Sequence, residues 1–567
     1  MRIVPCDITA LCKTIPALLL TAVMPFFVSG QSLALPQGNK HQPFLDRLEI
    51  LLQRNPELNL FSPKEITRHT AVHEAGLQDS SSGNPSIKLS AIDQYNLRSL
   101  LMNNAEWVTT ANEKKHAFYN NAANMVEANS SKFFFALNPV IQGLQSKQQD
   151  FLQGNASVYH YAGGLSLRGM VGGKFGFYAY GTKNYESPPM FVQDRIAEFR
   201  AVPGANDYSH YGARGYQYYD LRGGITFRAL KFFDVQAGYD RNFIGNGYRS
   251  LFLSDFAGSY PFIKVNTKVW KLNYQNLYTG MVSQYSTGET KNFNVSFPRK
   301  FVAVHHLSIN AAKWLNIGLF HSLVINERKQ FLYLNPVIFF SVSSFDDSRP
   351  ANSISGLDFK ANIAKRAQVY GQLLLDQIRL KEITAGNGWW GNRYGYQLGL
   401  KYINLFGINN LDLQAEVNAV RPFTYAAADS LDNFSHYNQP LAHPMGANFA
   451  EFIGILRYQP TKRLTATGKL IYWAQGVDSS AASFGGNIFK SYGARVAEYG
   501  YTIPSGMEGK GLNMQLQVSY ELAENIFLDA TAMVRRWKVE DNSSLERKVN
   551  IFTAGLRMNI FRKEYDY

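Results

Sequence analysis

The chain has 567 residues, a formal net charge of +14, only 18% charged residues, and 33 Tyr, 39 Phe and 45 Gly. Both cysteines, Cys6 and Cys12, lie ahead of or at the opening of an apolar leader, so the mature chain has neither a disulfide framework nor a thiolate metal site. Beyond residue 30 no apolar run approaches the ~20 residues of a membrane helix, so any membrane crossing is made by strands. The basic balance suits acidic lipopolysaccharide or acidic glycans, and export rules against nucleic acid.

At the N-terminus, Arg2 and Lys13 precede the apolar run Ile15 to Val28, which ends in Val28-Ser29-Gly30. Its length, its prolines and the small residues at its end describe a signal peptide over 1–30, cut before Gln31. A lipoprotein is not expected, because no cysteine follows the run. Residues 31–130 read as a periplasmic helical plug domain. Phe44, Leu45, Leu48, Ile50 and Leu51 recur at helical spacing, as do the apolar residues from Ile92 to Trp107, and Ser62-Pro63-Lys64-Glu65 has the form of a helix start. Residues 78–90 are the expected loop of this domain.

After residue 130 the period becomes two, so 131–567 is read as an outer-membrane β-barrel. Phe233 to Asp240, Leu411 to Ala419 and Leu512 to Tyr520 each alternate an apolar with a strongly polar residue. Tight reversals are expected near Gly172, Leu230, Asn273, Lys313, Lys365, Gly407, Pro460 and Ala523, separated by longer polar connections. Short turns on one side and long loops on the other are the pattern of a transmembrane antiparallel barrel. These reversals join sixteen strands; a first strand over Lys132–Ile141 and a last over Lys548–Phe561 make eighteen. Phe331 to Phe345 finds no slot and, with Pro336, is read as a loop folding back.

The stretch KFFDVQAGYDRNFIGNGYRSLFLSDFAGSYPFIKV at 231–265 resembles the outer-membrane Wzi-like capsule-assembly family, and within it the Bacteroidota branch that includes the gliding-motility protein RemB. LDRLEI at Leu45–Ile50, YLNPVIFF at Tyr333–Phe340, YGQLLLDQ at Tyr370–Gln377, YNQPLAHPMGANFAE at Tyr437–Glu451 and GGNIFKSY at Gly485–Tyr492 extend the resemblance over nearly the whole mature chain. Where the enterobacterial pattern has Trp-Gly-Pro-Gly, this sequence has Ile244-Gly245-Asn246-Gly247. The resemblance implies an eighteen-stranded barrel with a helical bundle against its periplasmic base, and a surface lectin that holds exported capsular polysaccharide, with a link to gliding or surface-protein assembly in its nearer branch.

No local nucleophile motif such as Gly-x-Ser-x-Gly is present, so the expected function is binding rather than catalysis, with no cofactor. His69 and His73 lack a third ligand, His305 and His306 point to opposite faces of a strand, and His436 and His443 read as loop packing; no metal site is expected. Saccharide recognition asks for aromatic faces and planar polar groups. Two loops supply them: Asn387, Trp389, Trp390, Asn392 and Arg393 in an extracellular loop over 380–393, with membership of the interfacial aromatic belt the alternative for the two tryptophans, and Arg241, Asn242, Asn246, Tyr248, Arg249 and Asp255 in the loop over 241–260, with a lumen plug folded by the glycines of 245–258 the alternative. Expected partners are outer-membrane lipid and lipopolysaccharide, surface polysaccharide, the outer-membrane insertion machinery, and proteins of a motility or assembly complex. The competing readings are a solute porin and a subunit of such a complex.

Overall fold

The computed structural model describes residues 33–61, 64–79, 85–108, 123–152, 154–230, 232–283, 298–326, 334–339, 352–478, 482–540, 542–561 and 563–567. The signal peptide expected over 1–30 lies outside the described residues. Eighteen long antiparallel strands form the wall among the described residues: β1 (Phe133–Asp150), β2 (Gly154–Val171), β3 (Phe175–Ser187), β4 (Gly215–Leu230), β5 (Phe233–Asp240), β6 (Tyr260–Val269), β7 (Leu272–Val282), β8 (Arg299–Ala312), β9 (Leu315–Asn326), β10 (Asn352–Ile363), β11 (Ala367–Gln377), β12 (Arg393–Tyr402), β13 (Leu411–Val420), β14 (Phe449–Tyr458), β15 (Leu464–Val477), β16 (Met507–Ala523), β17 (Ile526–Val539) and β18 (Asn542–Met558). Each pairs with the next, and β1 closes on β18 from Ile141↔Met558 to Asp150↔Val549, so no edge is left open.

Strand alternation sorts the side chains into a lipid face and a lumen face. On β16 Leu516 is 55% exposed while Asn513 and Gln517 are buried, and on β13 Val417 is 42% exposed while Glu416 and Asn418 are buried inside. A soluble sandwich would bury the apolar set; here it points outward as a continuous band.

The eight reversals lie together at one end. Gly172 and Gly173 turn β2 into β3 with φ of 57° and 66°, a conformation that disfavours any side chain. The reversal expected near Asn273 falls instead between Val269 and Leu272. Two further short connections, Asp150 to Gly154 and Val539 to Asn542, sit at the opposite end, where only long loops were expected. They arise because β1 runs nine residues past Ile141 as Gln142–Asp150, whose mixed polar faces give no hydrophobic period, and because β18 starts at Asn542 rather than Lys548. Residues 334–339 form no strand, and the Pro336 carbonyl accepts from Tyr274 Oη; the rest of that segment lies outside the described residues.

Helices α1 (Gln42–Leu52), α2 (Pro56–Leu60), α3 (Arg68–Gly76) and α4 (Ala91–Met102) pack together at the short-turn end. Their apolar stripes meet in one cluster containing Phe44, Leu45, Leu48, Leu58, Ala71, Leu97 and Leu100. The start expected at Ser62 to Glu65 is not a helix start: Lys64 and Glu65 form a turn, and α3 begins at Arg68 with Thr67 Oγ1 capping the Thr70 N–H. Residues 62 and 63 are outside the described set.

The helices enter the lumen through ion pairs, because the wall they meet is polar. Arg47 bonds Asp93 at 3.0 Å within the helical region and also reaches Asp412 on β13. Lys360 on β10 pairs with Glu49 at 2.8 Å, both side chains 2% exposed. Lys401 meets Asp46 at 2.7 Å.

Candidate functional site

The loop at 241–260 is folded into the lumen, as the plug alternative has it, and its saccharide candidates face the wall. Its two arms are tied by the Ile244 N–H donating to the Leu253 carbonyl at 2.9 Å. Its tip is gripped by inward polar residues of β11 to β14. Glu416 accepts from the Tyr248 and Arg249 N–H groups at 2.7 and 3.1 Å, and Gln372 accepts from Leu251 N–H at 2.8 Å. A Cβ at Gly247 would stand 2.8 Å from the Arg249 carbonyl oxygen, a backbone atom, as well as 2.5 Å from Glu416, so the tight turn favours glycine here. The departure Ile244-Gly245-Asn246-Gly247 thus lies at a contact with the barrel wall.

Arg249 is enclosed at the centre of this contact. Its guanidinium meets Asp566 at 3.2 Å and Glu451 at 3.5 Å. Burial opposes its charge, but Asp566 and Glu451 more than offset that and hold it ionised above the ordinary arginine range. Glu451 also accepts from His443 Nε2 at 2.8 Å, which ties the loop between β13 and β14 to the same group. Arg241 donates to the Gly204 carbonyl at 2.6 Å, Asn242 Oδ1 accepts from Lys264 at 3.1 Å, and Asp255 offers its carbonyl to Arg241. These residues pack the interior, and Asn246, Tyr248 and Arg249 form no outward patch.

The 421–448 connection folds inward as well. Phe252, Leu253, Tyr425, Phe434, Leu441, Met445 and Ala447 share one buried apolar cluster with wall residues such as Val302, Phe320 and Leu374. The long-loop half of the lumen is filled here by the chain's own loops. Towards the short turns a cavity of about 760 Å³ remains, lined by residues of the helical region, by Tyr178, Asp220, Arg222 and Arg241, and by the 563–567 tail.

The other candidate set sits at the long-loop end. Trp389 is only 7% exposed, with the Arg379 guanidinium 4.5 Å above its ring. Asn387 Oδ1 accepts from its backbone N–H at 3.1 Å. Asn392 Oδ1 accepts from Arg379 N–H at 2.8 Å, and Arg393 is held by Asp376 at 3.0 Å and the Ala426 carbonyl at 3.0 Å. Trp389, Asn392 and Arg393 therefore hold the loop.

Trp390 lies further out and joins a second loop. Its Nε1 donates to Glu498 at 2.8 Å, Arg495 covers the ring at 4.3 Å, and Tyr492 stands 5.1 Å away at 36°. Glu498 is held below the ordinary carboxylate range by its bond to Arg495 and by the Trp390 N–H. Tyr499 is 53% exposed beside them. The result is a platform of Trp390, Tyr492 and Tyr499 with Arg495, Glu498 and Asn387. Tyr492, Arg495, Glu498 and Tyr499 were not among the sequence candidates, although SYGARVAEYGY at 491–501 interleaves aromatic and charged residues as a saccharide surface does.

A closed wall with an outward apolar band, an interior packed with its own loops and a surface aromatic platform together define an outer-membrane-type β-barrel built round a filled lumen. The profile of the family described as Capsule assembly protein Wzi matches residues 164–550, and the chain belongs to that family. Among solved structures, Escherichia coli Wzi, described as an outer membrane protein involved in group 1 capsule assembly and a carbohydrate-binding β-barrel, is similar with a TM-score of 0.50 and 12% identity, over 91% of this chain and 98% of that one. Pseudomonas aeruginosa OprD gives 0.41 and 10% identity over 75% of this chain and 96% of that one. A BenF-like porin from Pseudomonas fluorescens Pf-5 gives 0.41 and 10% over 75% and 99%. No curated protein sequence matches the chain.

Proposed function

We propose that the chain is a non-enzymatic outer-membrane protein that binds and organises surface capsular polysaccharide. In this reading 1–30 is removed on export, 31–130 lies on the periplasmic side, and the barrel over 131–567 turns its long loops outward. Family membership supports the capsule role, and the similarity to Escherichia coli Wzi, a carbohydrate-binding β-barrel, supports carbohydrate as the ligand. The observation that carries the reading is the platform: exposed Tyr499 lies in the segment whose backbone pairs with Asn387 and Trp390, next to the Trp390 and Tyr492 rings and to Arg495 and Glu498. Aromatic faces stack on the C–H side of a pyranose while the guanidinium, carboxylate and amide bond its hydroxyls.

The test is binding of purified capsular polysaccharide by the detergent-solubilised protein. Tyr499→Ala combined with Arg495→Ala should weaken it roughly ten- to a hundredfold, about 1–3 kcal/mol, with heat-modifiable migration on gels preserved. Equal binding by the folded double variant would remove the platform from the site. The finer assignment, to a branch linked with gliding motility, is tested by scoring spreading alongside capsule retention in a deletion strain; a spreading defect with normal capsule retention would favour a motility complex.

A further inference from the structure

The chain does not stop at the wall when the closing strand ends. β18 leaves the sheet at Met558, at the short-turn end, and Asn559 turns the backbone inward with φ of 53°. That turn is fixed on both sides: the Asn559 N–H donates to the Asn525 carbonyl at 3.2 Å, and its Nδ2 to the Pro139 carbonyl at 2.8 Å. Ile560 and Phe561 then pack on Val140, Ala162 and Tyr180 at the foot of the lumen. The eight steps from Asn559 to Tyr567 reach at most about 29 Å at about 3.6 Å each. A segment that starts at the base can therefore meet the plug loop.

Residues 563–567 bridge the lumen through side chains. Lys563 donates to Glu186 on β3 at 2.8 Å and to Tyr218 Oη on β4 at 2.9 Å, and Tyr565 Oη donates to Glu186 at 2.8 Å. On another side of the wall Lys469 of β15 pairs with Glu564 and, at 2.7 Å, with Asp566. The same two carboxylates hold the tip of the plug loop. Tyr248 Oη donates to Glu564 at 3.0 Å and to Asp566, while Arg249 meets the Asp566 carboxylate at 3.2 Å and its carbonyl at 2.9 Å. Tyr567 stands edge-on to Phe256 in the return arm of that loop at 5.1 Å, with the Arg195 guanidinium of the short helix Met190–Phe199 at 4.9 Å from its ring.

Among the described residues no backbone–backbone hydrogen bond reaches 563–567. The segment can leave without breaking a ladder, which no wall strand can do. Its departure matters to the plug. Of its two ion pairs Arg249 would keep only the one to Glu451, at 3.5 Å, and an enclosed guanidinium short of a partner destabilises the contact that encloses it. We propose that residues 563–567 are an internal latch, inserted from the short-turn side, which fastens the tip of the plug loop and whose withdrawal opens the lumen. Asn559 is its hinge and Ile560 with Phe561 its anchor, so it swings without disturbing the closure of β1 on β18. The seal lies in the long-loop half of the barrel, but its control lies at the base. This device does not depend on the saccharide platform.

The test compares the wild type with two variants by amide exchange and in planar bilayers. Glu564→Gln combined with Asp566→Asn removes both carboxylates and keeps the length; a chain ending at Phe561 removes the latch and keeps hinge and anchor. Both should migrate as heat-modifiable barrels, exchange the 246–250 amides about tenfold faster than the wild type, and show current openings where the wild type is silent. The free peptide Lys-Glu-Tyr-Asp-Tyr at about millimolar concentration, the range a short tether supplies, should restore protection and silence to the chain ending at Phe561. A peptide of the same residues in another order should not. Wild-type exchange and silence in both folded variants would overturn the proposal, as would wild-type current equal to theirs or equal action of the two peptides.

Discussion

His436 shows how a single inward-folded residue can carry a pH response. It is buried in the 421–448 connection; its Nδ1 accepts the Val282 N–H at 3.1 Å and its Nε2 donates to the Ser259 carbonyl at 3.2 Å. Both nitrogens are satisfied only in the neutral ring. Burial, with the charge of Lys300 added and the Ser259 bond opposing, lowers its pKa from 6.5 to about 3. His443 in the same connection is lowered by burial too, against the pull of Glu451. The unfolded segment therefore takes up protons near 6.5 while the packed one does not, so the contribution to stability is complete above that value and is lost as pH falls towards about 3. Amide exchange over 433–448, corrected for intrinsic rate, should lose protection between pH 7 and 4.5, and His436→Gln should flatten part of that loss. Equal protection at the two values would show that the packed loop tolerates the charged ring.

At the scale of elements, the helical region is joined to the wall by buried ion pairs more than by shared apolar core. Lys360 is the clearest case: besides Glu49 it donates to the Phe61 carbonyl at 2.8 Å, so one β10 residue holds the ends of both α1 and α2. Replacing it with Met would leave Glu49 enclosed without its partner, a loss of about 3–5 kcal/mol. The expected outcome is faster protease release of the helical region from a barrel that still shifts on heating; an unchanged release rate would show that other contacts dominate. Because these pairs are shielded from solvent, added salt should weaken the docking less than it would weaken surface pairs. The helices and the strands with one apolar face were legible, since both patterns are local: Phe44, Leu45 and Leu48 mark a helix, Leu512 to Tyr520 a strand. The polar extension Gln142–Asp150 was not, because above the hydrocarbon neither face needs to be apolar. The site was less legible still. Arg249 and Trp390 read alike in sequence as loop residues suited to sugars, and only the contacts of Arg249 with Glu416 and Glu451 on the wall and with Asp566 in the C-terminal tail turn one inward, while Trp390 meets Tyr492 and Glu498 more than a hundred residues away.

For the molecule as a whole, the filled lumen decides between a binding barrel and a pore. An eighteen-stranded wall has room for an aqueous channel, yet here the 241–260 and 421–448 loops pack on each other and on the wall, with Leu251, Phe252, Leu253 and Leu441 at zero exposure. Ions would have to cross that apolar cluster or the Arg249, Glu451 and His443 contacts beside it. The wild type inserted into planar bilayers should therefore show no steady porin-like conductance. Ile244 and Leu253 already lie side by side, so residues 245–252 can be replaced with a two-residue Gly-Ser link without stretching the wall. That variant removes the grip on Glu416 and Gln372 and withdraws Phe252 from its stack on Phe320 at 4.3 Å. It should insert, migrate as a heat-modifiable barrel and open a steady conductance. Steady wild-type conductance at the same level as the variant would mean that the loops do not seal the lumen, and the solute-channel reading would then replace the binding one.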